Sequence, residues 1–281
     1  MGKVILGDCR KYLQQIIDRG SIFYEGKKLE PFVDFIFADP PFNIGEGYGT
    51  WDDCMPWEEY QEFTFDWLFL CHKVLKGTGS MWIHVPDSIA ADIVLWCRDE
   101  LKMNLVNWCI WHYRFGQHKE SSFINSHCHG LWFSKSDEWT WNPDEVLVDS
   151  DRASMYADPR TQNTKNPGKR VPLDVWGVPS DGPYWGRVQG NNAERRKKHE
   201  NQLPEVYLER ILRAITKPGE MVLDPFCGSG TTAVVAQALG RDCISFEIDP
   251  GLKKSADERI RNGAVRIIEG TTDSRIGCTK L

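Results

Sequence analysis

The sequence predicts an α/β protein built on a doubly wound, mostly parallel sheet, with a long irregular region inserted between its two halves. Three observations carry this. Short apolar runs alternate with stretches whose apolar residues recur at helical spacing, the rhythm of crossover units. That rhythm stops between about Tyr113 and Glu200 and resumes at Glu205. The 281 residues, 41% hydrophobic and 26% charged, suffice to bury a sizeable core in one large or two unequal domains.

Lys3-Val4-Ile5-Leu6 is an apolar run closed by Gly7-Asp8, and residues 10–18 follow at helical spacing, giving a strand and then a helix. Phe32 to Phe37 is aromatic and β-branched and stops at Ala38-Asp39-Pro40-Pro41, where prolines cannot donate to a ladder. Residues 57–75 carry a helical stripe (Trp57, Tyr60, Phe63, Trp67, Leu68, Leu70, Leu75) that breaks at Gly77-Thr78-Gly79. Ser80 to Val85 reads as a buried strand, and a helix over 87–100 and a strand over 105–112 keep the rhythm. Between 113 and 200 stand prolines at 143, 159, 167, 172, 179 and 183, with one short strand expected at 130–133. Tryptophans at 139, 141, 176 and 185 mark that region as ordered and function-bearing rather than disordered. Regular structure returns as a helix over 205–215, a strand at Met221–Asp224, a glycine turn, a helix over 231–239 and a strand at Cys243–Glu247.

Nine cysteines, an odd number and widely spread, read as reduced thiols of a cytoplasmic protein. Met1-Gly2-Lys3-Val4 runs into a strand without an apolar signal region, and no apolar run nears the roughly 20 residues of a bilayer span, so membrane and secreted readings are set aside. The net charge of −6 argues against a nucleic-acid partner until its distribution is examined. Residues 151–200 hold ten basic side chains (Arg152, Arg160, Lys165, Lys169, Arg170, Arg187, Arg195, Arg196, Lys197, Lys198) against six acids. An acidic body with a basic, loop-rich surface follows, although a charge run is by default a solvated face.

Two segments carry chemistry. In Asp224-Pro225-Phe226-Cys227-Gly228-Ser229-Gly230-Thr231-Thr232-Ala233 a strand turns through glycines into a helix. Gly228 and Gly230 let a ligand approach bare backbone, and the helix start offers unpaired N–H groups. The spacing also meets the dinucleotide fingerprint, with Glu247 at the next strand tip placed for ribose hydroxyls. No Lys follows the glycines, which excludes an ATPase phosphate loop; a tight turn without ligand satisfies the spacing equally. In Asp39-Pro40-Pro41-Phe42-Asn43, at the carboxyl end of a strand, the Asp39 carboxylate and the Pro40 carbonyl can each accept one hydrogen of a planar group's NH₂, and Phe42 offers a stacking face. Such an amine is a poor nucleophile until its lone pair leaves the ring, which acceptors on both hydrogens favour. The bland alternative is a turn-capping Asp39 and strand-ending prolines.

Together, Asp39-Pro40-Pro41-Phe42 and Asp224-Pro225-Phe226-x-Gly228-Ser229-Gly230-Thr231-Thr232 resemble the DNA amino-methyltransferases that use S-adenosyl-L-methionine, in the permuted order called the beta class, over about residues 3 to 268. The resemblance implies a Rossmann-like methyltransferase fold of the seven-stranded type, circularly permuted. Residues 1–112 and 201–281 would form the catalytic and cofactor-binding domain and 113–200 an inserted target-recognition, DNA-binding region. It implies that Asp39, Pro40, Pro41 and Phe42 grip the target base, and that Asp224, Phe226, Gly228, Ser229, Gly230, Thr231 and Glu247 hold the cofactor. Asp8 would face the cofactor's adenine, with Asn201 and Gln202 at its methionine end. Leu203 stands where the family commonly has Lys, and Phe42 where many relatives carry Tyr, so a hydroxyl bond is lost while stacking survives.

Asp rather than Ser at position 39 leans the reading toward the N6 amine of adenine over N4 of cytosine as acceptor. The implied partner is DNA, either duplex with the base flipped out or single-stranded. Arg114, Gln117, Asn163 and Arg187 are candidates for reading base edges. A restriction-modification setting in a bacterial cytoplasm, or a phage-encoded enzyme acting there, fits; a homodimer is left open. His127-Cys128-His129, near His112 and His118, lacks the residues of a tetrahedral set, so no metal is expected. Most tryptophans between 51 and 111 fall at core periodicity, with Trp51 set apart as a stacking candidate. Three rivals remain: a dinucleotide oxidoreductase, which leaves the Asp39 motif unexplained; a non-catalytic nucleic-acid-binding relative; and the same chemistry on RNA or a protein amide.

Overall fold

The computed structural model describes residues 2–18, 22–24, 27–29, 32–114, 116, 120–178, 186–190, 192–196, 199 and 201–265. Gln117, His118, Pro179, Pro183, Trp185, Lys197, Lys198 and Cys278, all used above, lie outside the described residues. In chain order the elements are β1 (Gly2–Leu6), α1 (Cys9–Asp18), β2 (Ile22–Tyr24), β3 (Lys27–Leu29), β4 (Val33–Ala38), α2 (Trp57–Val74), β5 (Leu75–Val85), α3 (Asp87–Asp99), β6 (Asn104–His112) and β7 (His127–Ser134). They continue with β8 (Val148–Asp149), α4 (Asp151–Ser154), β9 (Lys169–Arg170), β10 (Val175–Trp176), α5 (Glu205–Ile215), β11 (Met221–Asp224), α6 (Thr231–Ala238), β12 (Asp242–Glu247) and α7 (Pro250–Asn262).

The main sheet has eight strands in the order β1-β12-β11-β4-β5-β7-β6-β10. Every neighbouring pair is parallel except those made by β7, which runs antiparallel to both β5 and β6. Side chains of β4 alternate between two cores, as a strand covered on both faces requires. Ile36 and Ala38 join Leu13, Trp67, Leu68, Ile89 and Ile93 under α1, α2 and α3. Phe35 and Phe37 join Leu208, Ile211, Val234, Val235 and Ile260 under α5, α6 and α7. The chain leaves β4 toward β5 and leaves β11 toward β12, on opposite sides. The crevice between the carboxyl ends of β4 and β11 is therefore the topological switch point, where open α/β sheets bind ligands.

Three expectations change. An eighth strand joins the expected seven, because Val175–Trp176 adds to the edge beside Ile110–Trp111. The strand expected at 130–133 spans His127–Ser134 and sits inside the main sheet, so the span 113–200 is not separate from it. Gly77-Thr78-Gly79 does not break the chain into a loop: β5 runs through it from Leu75, with the register shift taken up opposite Val33 and Phe35. A Cβ at Gly79 would stand 2.6 Å from Leu75 Cδ1, so a side chain there would push the buried Leu75 aside.

Candidate active site

Strand order sets polar side chains in a row along one edge. Leu6 pairs with Glu247, Asp224 with Ser245, and Ala38 with Ile83. Asp8, Glu247, Asp224, Asp39 and His84 thus lie at or within two residues of the carboxyl ends of five adjacent strands. A cavity of about 1010 Å³ opens over them. Asp8, Asp39, Pro40, Pro41, Phe42, Asn201, Gln202, Asp224, Phe226, Gly228, Ser229, Thr231 and Glu247 all line it. Gly230 does not. It starts α6 in the left-handed region (φ 79°), and a Cβ there would meet that of Ala256 at 3.0 Å, so this glycine lets α6 approach α7.

On the Asp39 side, β4 stops at the two prolines and leaves Asp39 half-buried. Among the described residues its carboxylate has no hydrogen-bond partner; burial, with the nearby Asp224, holds its pKa well above the usual carboxylate range. After Phe42 the chain reverses at Asn43 (φ 56°) and is fastened by Asp53, only 3% exposed. The N–H groups of Asn43, Ile44 and Glu46 donate to the Asp53 carboxylate at 2.9, 3.0 and 3.0 Å. Asn43 also pairs with the Met55 backbone in both directions, and Tyr60 donates to the Pro41 carbonyl at 2.9 Å. Trp51, set apart as a stacking candidate, packs on Phe63 with ring centroids 4.6 Å apart.

The glycine-turn side is tied within the protein. Glu247 accepts from the N–H groups of Gly228 and Asp249 at 2.8 and 2.9 Å, leaving each oxygen a further lone pair for a ligand hydroxyl. Arg259 and Glu205, both fully buried, pair at 2.9 Å, and Arg259 also donates to Ser229 Oγ (3.2 Å) and Thr231 Oγ1 (2.7 Å). Gln202 spends its amide on the Glu194 carbonyl and the Arg196 N–H. Asn201 accepts from Arg187. Burial opposes the charge of Asp8, but Arg10, donating from its guanidinium and backbone, outweighs it and holds the carboxyl below its ordinary value. Asp224 accepts from the Phe226 N–H at 2.9 Å; burial pushes its pKa up to about 7.

The chemistry of the lining selects the kind of ligand. Asp39 and Asp224 share the cavity, each raised in pKa, and neither has a cationic partner among the described residues. A cationic group suits that field; a dinucleotide's pyrophosphate would meet three carboxylates with Glu247 included. Gly228 (φ 49°) brings bare backbone to the lining, with His199 Nε2 only 2.5 Å from where a Cβ would stand. His199 Nδ1 is a buried polar atom without a partner among the described residues. S-adenosyl-L-methionine, with a sulfonium, an ammonium, a ribose diol and an adenine, fits this set. The residues that would hold it are Asp224, Phe226, Gly228 and Glu247.

His127 and His129 do come together, with Nε2 atoms 3.1 and 2.7 Å from Asp87 Oδ1. Trp108 Nε1 donates to His129 Nδ1 at 2.8 Å, which puts the ring's hydrogen on Nε2 facing Asp87. A metal ion there would have to displace that hydrogen, so the trio is a hydrogen-bonded cluster. Half of the ten basic side chains are paired locally: Arg152 and Arg160 with Asp158, Lys165 with Asp144, Lys169 with Asp149, and Arg170 with Asp151. Arg187 lines the cavity and lies over the Tyr113 ring at 5.4 Å, whereas Arg114 and Asn163 are exposed outside it.

Sequence reasoning missed Asp53, His84 and the Arg259–Glu205 pair. The glycine-rich stretch after Asn43 could have flagged a need for an acceptor such as Asp53. His84 ends an apolar strand run, the position of Asp39 one strand over. Nothing local marks Arg259, whose partner is 54 residues away.

Comparison with known proteins gives a consistent result. A family model described as DNA methylase, of the N6/N4 type, matches residues 33–258. The type II methyltransferase M.HpaI of Haemophilus parainfluenzae is 32% identical over 232 residues, covering 82% of this chain and 69% of that protein. The DNA adenine methyltransferase YhdJ of Escherichia coli (strain K12) is 34% identical over 245 residues, covering 83% of this chain and 78% of YhdJ. Among solved structures, the PvuII DNA methyltransferase (cytosine-N4-specific) superposes with a TM-score of 0.67 at 17% identity, covering 99% of this chain and 93% of that one. The M1.HpyAVI–SAM complex gives 0.59 at 18% identity, covering 92% and 100%. These two establish the shared fold.

Proposed function

This chain belongs to the N6/N4 DNA methylase family, and we propose that it transfers a methyl group from S-adenosyl-L-methionine to the exocyclic N6 amine of adenine in DNA. One observation carries the reading: the Asp39-Pro40-Pro41-Phe42 motif and the Gly228 turn, far apart in sequence, open into one cavity at the switch point of the sheet. Asp39 in the motif, and a relative named as an adenine methyltransferase, support adenine over cytosine. Residues 113–200 outside β7 and β10, with Arg187 toward the cavity, are the surface for DNA.

The cofactor, when bound, supplies a methyl group on a positively charged sulfur. The protein's own work is on the base. The target nucleotide leaves the duplex, at a cost of a few kcal/mol, to enter the cavity. Phe42 stacks on it, and the Asp39 carboxylate and Pro40 carbonyl each accept one N6 hydrogen, favouring the pyramidal nitrogen whose lone pair is free to attack. Forming the N–CH₃ bond would break the methyl's bond to sulfur, which keeps the electron pair, and N6 gives up a proton. Asp39, held above the usual carboxylate range by burial and by Asp224, takes it at a carboxylate oxygen.

The test is to incubate the protein with unmethylated DNA and cofactor, digest to nucleosides and identify the products by mass spectrometry. N6-methyladenine is expected. N4-methylcytosine would overturn the base assignment, and cofactor binding without any methylated nucleoside would overturn DNA as substrate.

A further inference from the structure

His84 is a buried titratable group in the cavity wall for which the mechanism above has no use. Ala38 pairs with Ile83, so Asp39 and His84, one residue on, stand side by side on adjacent strands about 5 Å apart. The imidazole lines the cavity, is 2% exposed, and lies 6.1 Å from the Phe42 ring.

Two residues behind it hold the ring through Nδ1. Trp82 Nε1 can only donate, and does so to the Tyr207 hydroxyl at 3.0 Å. That hydroxyl lies 3.0 Å from His84 Nδ1, and either of the two can be the donor. In the tautomer whose Nδ1 accepts from the hydroxyl, the ring's hydrogen sits on Nε2, which has no hydrogen-bond partner among the described residues. Burial, reinforced by His129 and Arg187, pushes the His84 pKa down to about 3, which favours the neutral ring.

The ring is also held from turning. Trp82 stacks on Trp176 with centroids 5.2 Å apart, and Tyr207 stands edge-on to both Trp82 and Trp176. Across the ladder from His84 stands Gly130, where a Cβ would lie 2.3 Å from the Trp82 indole. With its hydrogen on Nε2, the ring sets an N–H donor beside the Asp39 acceptor.

We propose that His84 reads the target base, its Nε2–H donating to the acceptor ring nitrogen that flanks the amine held by Asp39. This rests on the methyl-transfer reading above. Adenine has such an acceptor on either side of its amine, N1 and N7. A base with an N–H at that place, such as guanine at N1, would set donor against donor.

The test first maps the methylated site in product DNA, then places adenine, 1-deazaadenine or 7-deazaadenine at the target of a duplex. Single-turnover transfer is measured with the wild type, His84→Phe and His84→Gln. One of the two analogues is expected to slow the wild type by roughly tenfold or more. His84→Phe should be slow on adenine by a similar factor and lose nothing further with that analogue, while His84→Gln, which keeps an N–H, recovers part of the rate. Any effect of the deaza ring on amine reactivity is common to all three enzymes and cancels in the ratios. A damaged fold would slow every substrate alike and weaken cofactor binding. The proposal is overturned if His84→Phe keeps the wild-type sensitivity to the analogues, or if the wild type is indifferent to both. Should the wild type methylate cytosine instead, 3-deazacytosine carries the same test; no transfer to any DNA would overturn the function reading and this proposal with it.

Discussion

The two ends of the cavity spend their polar groups differently. Around the glycine turn, Glu247, Ser229, Thr231 and Gln202 are all hydrogen-bonded to other parts of the protein, and the Arg259–Glu205 pair locks the set from behind. At the Asp39 end, neither the carboxylate nor His84 Nε2 has a partner among the described residues, while the supporting loop is fastened by Asp53 from below. One end has its shape set before any ligand arrives. The other keeps unspent acceptors and donors for the group that reacts, which is where stabilisation of the transition state must be concentrated.

The contrast can be broken most sharply at Asp39. Asp39→Ala should lower single-turnover transfer by about a thousandfold or more while calorimetry gives an unchanged cofactor affinity; an active variant would sink the mechanism. Next comes Asp53, which touches neither ligand in this reading. Asp53→Ala strands three loop N–H groups, so we expect a stability loss of about 1–3 kcal/mol in denaturant melts. Transfer should slow by roughly tenfold to a hundredfold, with cofactor affinity kept.

At the other end, Asp224 tests whether the glycine-turn side carries strain that a cation relieves. Its folded pKa of about 7 exceeds the ordinary carboxylate value of the unfolded chain, so the folded state binds the proton more tightly. That contribution is complete below the ordinary range and is lost as pH rises through about 7. Asp224→Asn should therefore melt a few degrees above the wild type at pH 8, the gap closing toward pH 4, and should bind cofactor about tenfold more weakly. Scanning calorimetry across that pH range checks it. The smallest effect concerns neither end. Asp144→Asn frees Lys165 from an exposed pair; DNA binding at low salt should tighten about two- to threefold and the gain should vanish at high salt, with no measurable change in melting temperature.

Much of the scaffold was legible because each buried strand is an apolar run that must end where prolines, glycines or a charged residue appear. Val33–Ala38 and Met221–Asp224 are such runs. β7 was only half seen: its His127-Cys128-His129 start looks polar, and only the sheet reveals that His129 and Cys128 face Ile110 and Trp111 across a ladder. In the site, Asp39 and Gly228 were legible because each belongs to a compact local motif. His84 was not, since its role depends on a tyrosine 123 residues away, and no periodicity encodes that meeting. For the same reason the hydroxyls of Ser229 and Thr231 looked available when Arg259 already engages them.

The pairing of β1 with β12 joins Gly2 to Cys243, and the other flank of β4 is closed only by β11. At about 5–20 residues per second on the ribosome, roughly ten to fifty seconds separate the emergence of β1 from that of its partner. Throughout that interval the wholly apolar end of β4 is an open edge, and the loop-closure entropy of a parallel pairing this distant makes the final docking slow. Until β11 and β12 have docked, Asp8 and Asp39 have no glycine turn between them and the cavity has no floor.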